Sequence, residues 1–197
     1  MLSLINTLDT NLFLFLNGLH SPLWDKIMLE ISYNKYGFLA LIIFLSYLGF
    51  KKYKKQFCLG FFFLLVSFGL SDSISTRVFK DNIKRLRPCH EKVLAPQVHL
   101  AGQKCWGGKF GFVSSHAANS FAIITFFWLM LRREHSWLKW FYLHAAVIGY
   151  SRIYLAKHYP LDIFFGAILG ILCGLAGYKL FTSALARWWP QSSNQHG

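Results

Sequence analysis

Five long apolar stretches constrain this chain more than anything else in it. They cover about residues 31–50, 56–70, 113–131, 137–154 and 163–181. A helix needs ~20 predominantly apolar residues to cross the hydrocarbon core of a bilayer, and these stretches read as that kind of helix. With 54% hydrophobic and 18% aromatic residues, the 197-residue chain is too apolar for most soluble folds. It is predicted to be all-α: one polytopic membrane helix bundle spanning 1–197, with about five full spans.

The segment 1–30 fits this pattern less well. Residues 1–20 are apolar but carry Asn6, Asp9, Asn11 and Asn17, which are costly in lipid hydrocarbon. They predict a helix lying in the membrane interface, with a sixth span as the alternative. With no cationic start and no small-residue cleavage site, the segment does not resemble a removable signal peptide. At the other end, Trp188 and Trp189 suit the interface, and 187–197 is expected to be a flexible tail.

The formal charge of +13 sits beside apolar runs, which favours a lipid bilayer and anionic head groups as partners over nucleic acid. Counting spans places Lys80, Arg87, Ser114, His116, Arg152, His158 and Asp162 on one face of the membrane. Lys51–Lys55, Arg132, Arg133 and Arg187 fall on the other. Polar residues at random span ends would scatter over both. Of the Lys and Arg side chains, nine lie on the second face and twelve on the first. Setting aside the three cations proposed below as phosphate ligands levels the two, so orientation rests on the short 51–55 loop, where the positive-inside rule is most reliable. That loop puts the seven residues on the periplasmic or extracellular side.

Each of those residues also has an ordinary reading. Ser114, just before an apolar run, is an N-cap by position; Lys80 and Arg87 at a helix end resemble a snorkelling flank. Asp72, Thr76 and Lys80 recur every fourth residue and predict one helical face, which Arg87 joins two turns after Lys80. Pro88 then disfavours helix at Arg87, so the helix is expected to stop there. Asp162 follows His158 by four, a spacing that brings carboxylate to imidazole if the chain is helical there, and Pro160 suits the first turn of the next helix. Histidine near neutral pH serves as nucleophile or proton carrier, and arginine's planar fork matches phosphate oxygens. A free helix N-terminus at Ser114–Ser115 adds N–H donors for an anion.

The loop 89–112 is long for a connector, which hints at function. Cys89 and Cys105 lie within it and would bridge in an oxidising compartment; spacing alone leaves them bonded or free. His90 and His99 have no assigned role, and no cofactor or metal site is expected.

Lys80-x6-Arg87-Pro88, then Ser114-Ser115-His116, then Ser151-Arg152-x5-His158-x3-Asp162 together resemble the three ordered motifs of the type 2 phosphatidic acid phosphatases, over about residues 56–181. Val113 and Ser115 stand where the second motif usually has proline and glycine. The resemblance implies a bacterial membrane lipid phosphatase, metal-independent, working through a phosphohistidine. His158 would be the nucleophile, Asp162 its orienter and His116 the proton donor; Lys80, Arg87, Ser114, Ser115 and Arg152 would bind phosphate. Its substrate would be a phosphorylated membrane lipid: undecaprenyl diphosphate, phosphatidylglycerol phosphate, phosphatidate or a lipid A phosphate. A non-catalytic lipid-phosphate-binding protein on the same scaffold is the alternative. Nothing in the sequence fixes the oligomeric state.

Overall fold

The structure is a computed structural model and describes residues 2–189. It has two N-terminal helices, α1 (Leu2–Gly18) and α2 (Pro22–Tyr33), followed by the bundle. There α3 is Lys35–Tyr53 and α4 is Phe57–Ser73, continued by a π-helical segment, Ile74–Lys80, and a single turn, α5 (Asp81–Ile83). After the polar loop come α6 (Ser115–Leu131), α7 (Phe141–Tyr154, led in by the 3₁₀ segment Ser136–Trp140) and α8 (Pro160–Trp188). No strand occurs among the described residues; Leu86 and Phe110 form one isolated antiparallel bridge.

Helices α3, α4, α6, α7 and α8 pack on one another to form the bundle. Lys54, with φ 51°, turns the chain back after α3, so α3 and α4 are a hairpin and not one continuous rod. At this end Lys52 Nζ donates to Met130 O at 2.7 Å and pairs with Glu134 at 2.8 Å. The exposed Trp137, Trp140, Trp188 and Trp189 flank this same end, where amphipathic rings suit a head-group layer.

Helix α6 is the hub. Along it Ile123, Phe126, Phe127, Met130 and Leu131 are buried against Leu45, Leu64 and Phe181. The bundle's outer surface is the apolar one: Phe44, Phe62, Leu65, Phe164, Leu172 and Leu180 are exposed, as expected where lipid replaces water. Helix α8 lies on α6 by a glycine face. A Cβ at Gly166 would come within 2.7 Å of Ser114 O, and one at Gly174 within 2.6 Å of Ala122 O, so only hydrogen permits this approach.

Two boundaries, and the surroundings of α1, differ from the sequence reading. The first apolar stretch is broken at Asn34, whose side chain accepts from Tyr36 N and Gly37 N at 2.8 and 3.0 Å; α3 therefore starts at Lys35, and Ser32 and Tyr33 belong to α2. Arg187 and Trp188, assigned to the tail, continue α8, and Trp189 caps it, while the rest of the predicted tail, 190–197, lies outside the described residues. In α1, Asp9 and Asn17 are buried against protein: Asn17 Nδ2 donates to Tyr154 O at 2.7 Å and Asp9 accepts from Leu161 N at 2.9 Å. These contacts all lie at the end of the bundle opposite the lysine loop.

Candidate active site

Helix α7 ends in the strongest polar concentration of the fold. Lys157 N and His158 N both hydrogen-bond Arg152 O, at 2.9 and 3.3 Å, and Ala156 has φ 52°, so the chain coils tightly from Arg152 to His158 before α8. Pro160 occupies the first helical position, where its missing N–H costs nothing. Asp162, the third residue of α8, folds back so that Oδ2 accepts from Tyr159 N at 2.9 Å. The helix–helix junction closes when Ser114 N donates to Asp162 O at 3.0 Å. That bond brings the start of α6 to the start of α8, and Ser114 Oγ caps α6 by accepting from Ala117 N.

His158 and Asp162 are therefore neighbours, but by a cap and not by helical spacing, because the helix begins only at Pro160. Nδ1 of His158 faces Asp162 Oδ2 at 3.5 Å and has no hydrogen-bond partner. Both side chains are almost wholly buried. Burial pushes His158 down to about 4, against the opposing pull of Asp162, so its imidazole is neutral at pH 7 and able to act as a nucleophile.

The cations arrive from three elements. Lys80 Nζ donates to Ser115 Oγ at 2.5 Å, and Ser115 Oγ shares a 2.7 Å hydrogen bond with Ser75 Oγ. Arg152 donates to Ser32 Oγ and sits 5.6 Å over the Tyr33 ring, while its Nε has no partner. Arg87 donates through Nε to Phe110 O at 3.2 Å and through its backbone N–H to Lys109 O at 2.9 Å. Burial lowers Arg87 from its ordinary value, though a guanidinium stays charged. His116, in the first turn of α6, stands beside the same cations, Arg152, Lys80 and Arg87. Thus Lys80, Arg87, Ser114, Ser115, His116, Arg152, His158 and Asp162 all gather at one end of the bundle, around one centre.

Two helical expectations fail here. Lys80 and Arg87 do not share a stripe: α5 stops at Ile83, Lys84 is left-handed with φ 54°, and Arg87 is extended. Nor do Asp72, Thr76 and Lys80 follow α-helical spacing, because Ile74–Lys80 winds as a π-helix, an i→i+5 pattern often found at functional sites.

Partners that sequence spacing did not single out complete the centre. Arg85 donates from Nη1 to Asp162 Oδ1 at 2.9 Å and from Nη2 to Asp9 Oδ2 at 2.6 Å, with its guanidinium 3.9 Å from the Tyr159 ring centroid. Buried Lys157 donates to Trp106 O at 2.9 Å; burial, then repulsion by Arg152 and Arg87, pushes it down to about 8. Its anchor holds the 89–112 loop, in which Cys89 and Cys105 are joined by a disulfide with Cα atoms 5.7 Å apart. Among the described residues, Cys89, His90 and Cys105 bring metal-ligand types within 4.8 Å of one another, but the two sulfurs are bonded to each other. His99 bonds Asp25 at 2.7 Å and stacks on His20 at 3.7 Å, a brace between the loop and α2.

Comparison with known proteins decides the family. The PAP2 superfamily profile matches residues 57–185.

The chain belongs to the PAP2 superfamily. It is similar to a lipid A 4'-phosphatase of Porphyromonas gingivalis, with 33% identity over 95% of this chain and 79% of the relative. A phosphatidylglycerophosphatase B of Bacillus subtilis is 31% identical over 78% of this chain and 73% of that protein. Among solved structures, Aquifex aeolicus LpxE superposes with a TM-score of 0.62 at 28% identity, covering 87% of this chain and 95% of that one. This PAP2 protein is an integral membrane lipid phosphatase.

Proposed function

We propose that this PAP2 phosphatase cleaves lipid phosphomonoesters in two steps, with the sugar phosphate of a lipid A-type glycolipid as the favoured substrate. His158 Nε2 forms a bond to phosphorus as the P–O bond to the lipid breaks, and the departing lipid oxygen takes a proton from His116. Water then attacks the phosphohistidine and gives its proton to His116. The P–N bond breaks, releasing orthophosphate and regenerating neutral His158. Asp162 balances the charge that grows on the His158 ring. Lys80, Arg87 and Arg152, with the Ser115 hydroxyl and the Ser115 and His116 N–H groups at the start of the helix that Ser114 caps, hold the phosphate oxygens where charge develops; three fixed cations fill the role of a metal clamp.

The observation that carries this reading is the placement of His158 Nδ1 against Asp162, at 3.5 Å, with Arg87 and Arg152 acting on the same ring. The glycolipid preference draws on the lipid A 4'-phosphatase relative, which aligns along 95% of this chain. The site faces away from the cytoplasm in this reading, with Lys51–Lys55 inside.

The test is phosphate release from purified protein in detergent with EDTA, offered lipid A phosphates, phosphatidylglycerophosphate and phosphatidate. Wild type turns over; His158→Ala releases nothing and takes up no acid-labile radiolabelled phosphate. His116→Ala slows release by ~10²–10⁴-fold, the usual worth of a positioned acid–base group. Binding of these lipids without turnover by wild type would instead fit a non-catalytic lipid-phosphate-binding protein.

A further inference from the structure

A cavity of about 370 Å³ opens beside the catalytic centre, with Ser115 and His116 at one end and Phe68 and Ile148 on its walls. Two further lining residues, Asp72 and Asn119, take no part in the chemistry above. Asn119 follows Ser115 by four residues and Asp72 precedes Ser75 by three, so the pair lies about one helical turn, ~5.4 Å, further into the bundle than the Ser75–Ser115 contact.

The pair presents acceptors. Asn119 Nδ2 donates to Asp72 Oδ1 at 3.0 Å. The carboxylate fixes which way the amide points, since the reverse orientation would set two acceptors against each other. Asn119 Oδ1 is then buried with no partner, and no donor among the described residues reaches the second oxygen of Asp72. An acceptor shut away from water is costly unless a ligand brings it a donor.

Because His116 protonates the oxygen that leaves phosphorus, the leaving group occupies this cavity. We propose that Asp72 and Asn119 form a leaving-group subsite that selects phosphomonoesters whose leaving group bears hydroxyl or amide N–H donors, and no anionic group, next to the ester oxygen. Sugar and glycerol head groups both have that chemistry. A diacylglycerol lacks the donors. The leaving group of a polyprenyl diphosphate is itself an anionic phosphate, which the Asp72 carboxylate repels. This inference rests on the phosphatase reading and adds to it the residues that favour monophosphate over diphosphate.

The experiment compares kcat/KM in detergent for a lipid A 4'-monophosphate, phosphatidylglycerophosphate, phosphatidate and undecaprenyl diphosphate, using wild type, Asp72→Asn and Asn119→Leu. In wild type the two donor-bearing lipids exceed the other two by about 10-fold or more, the worth of a satisfied buried hydrogen bond; which of the two leads separates sugar from glycerol. Asn119→Leu lowers the preference over phosphatidate about 10-fold, and the isosteric Asp72→Asn raises diphosphate turnover relative to monophosphate by a similar factor. Should Asn119→Leu fail to accumulate, the diphosphate ratio of Asp72→Asn decides alone. Equal wild-type rates on mono- and diphosphate, or substitutions that scale all four substrates by one factor, overturn the subsite. Absence of turnover on every lipid overturns the phosphatase reading and the subsite together, whereas turnover with unshifted ratios overturns only the subsite.

Discussion

Arg85 holds Asp162 by a 2.9 Å charged hydrogen bond across 77 residues of sequence, and with its other nitrogen it grips Asp9 of α1 at 2.6 Å. The carboxylate opposite the nucleophile is thus fixed from two sides, by Arg85 on Oδ1 and by Tyr159 N on Oδ2. Arg85 acts through Asp162 and is a positioning residue. Arg85→Ala is expected to lower kcat by ~10²-fold, the effect of a misplaced reacting group, with little change in KM. Equal loss of kcat and rise of KM in a steady-state assay would show a general structural defect instead. Asp9→Ala, one bond further out, should have the smaller effect in the same direction.

The burial of His158 predicts a pH signature in stability. Its value of about 4 in the folded protein lies below the ordinary 6.5, so unfolding takes up a proton between those values. The stabilising contribution is full above pH 6.5 and is lost as pH falls toward 4, by on the order of 3 kcal/mol. Thermal melts of the detergent-solubilised protein should show Tm declining across that window, and His158→Gln should flatten the decline. Parallel curves for the two proteins would contradict the assignment.

Cysteine accounting gives a third outcome. With Cys89 and Cys105 bonded and Cys58 and Cys173 free, denatured, unreduced protein should label at two thiols and reduced protein at four. Opening the bridge frees a loop closed over a sequence separation of 16, which corresponds to about 3 kcal/mol. A lower Tm after reduction, read by differential scanning fluorimetry, is the expected result. Since Lys157 and the bridge hold the same loop, the Cys89→Ala/Cys105→Ala variant should also raise KM.

Gly111 leaves little room for a side chain. A Cβ there would lie 3.0 Å from Asp162 Oδ2, 3.2 Å from Arg87 Cγ and 3.4 Å from His158 Nδ1. Gly111→Ala is therefore expected to lower kcat/KM by ~10-fold or more while leaving the melt within a few degrees of wild type, since overpacking at one contact costs about 1–3 kcal/mol. Wild-type kinetics in the variant would mean that the loop yields freely.

What the sequence by itself determined was the helical membrane architecture and the end of the bundle at which the chemistry gathers. Apolar run length and the parity of polar residues at span ends are local and one-dimensional, so Lys80, Arg87, His116, Arg152 and His158 could be assigned to one face before any packing was known. The N-cap at Ser114 and the helix start at Pro160 were legible for the same reason, because each depends on a few adjacent residues. Only the tertiary structure decided who supports whom. Arg85 meets Asp162 and Asp9, Ser32 takes Arg152 from 120 residues away, and Ser115 links Lys80 to Ser75. No sequence period joins those pairs, since the partners come from different segments of the chain. The π-helical turn at Ile74–Lys80 and the left-handed Lys84 broke the regular spacing that had placed Asp72, Lys80 and Arg87 on one stripe. Side-chain direction past such breaks follows from how the helices pack, which periodicity along one chain does not encode.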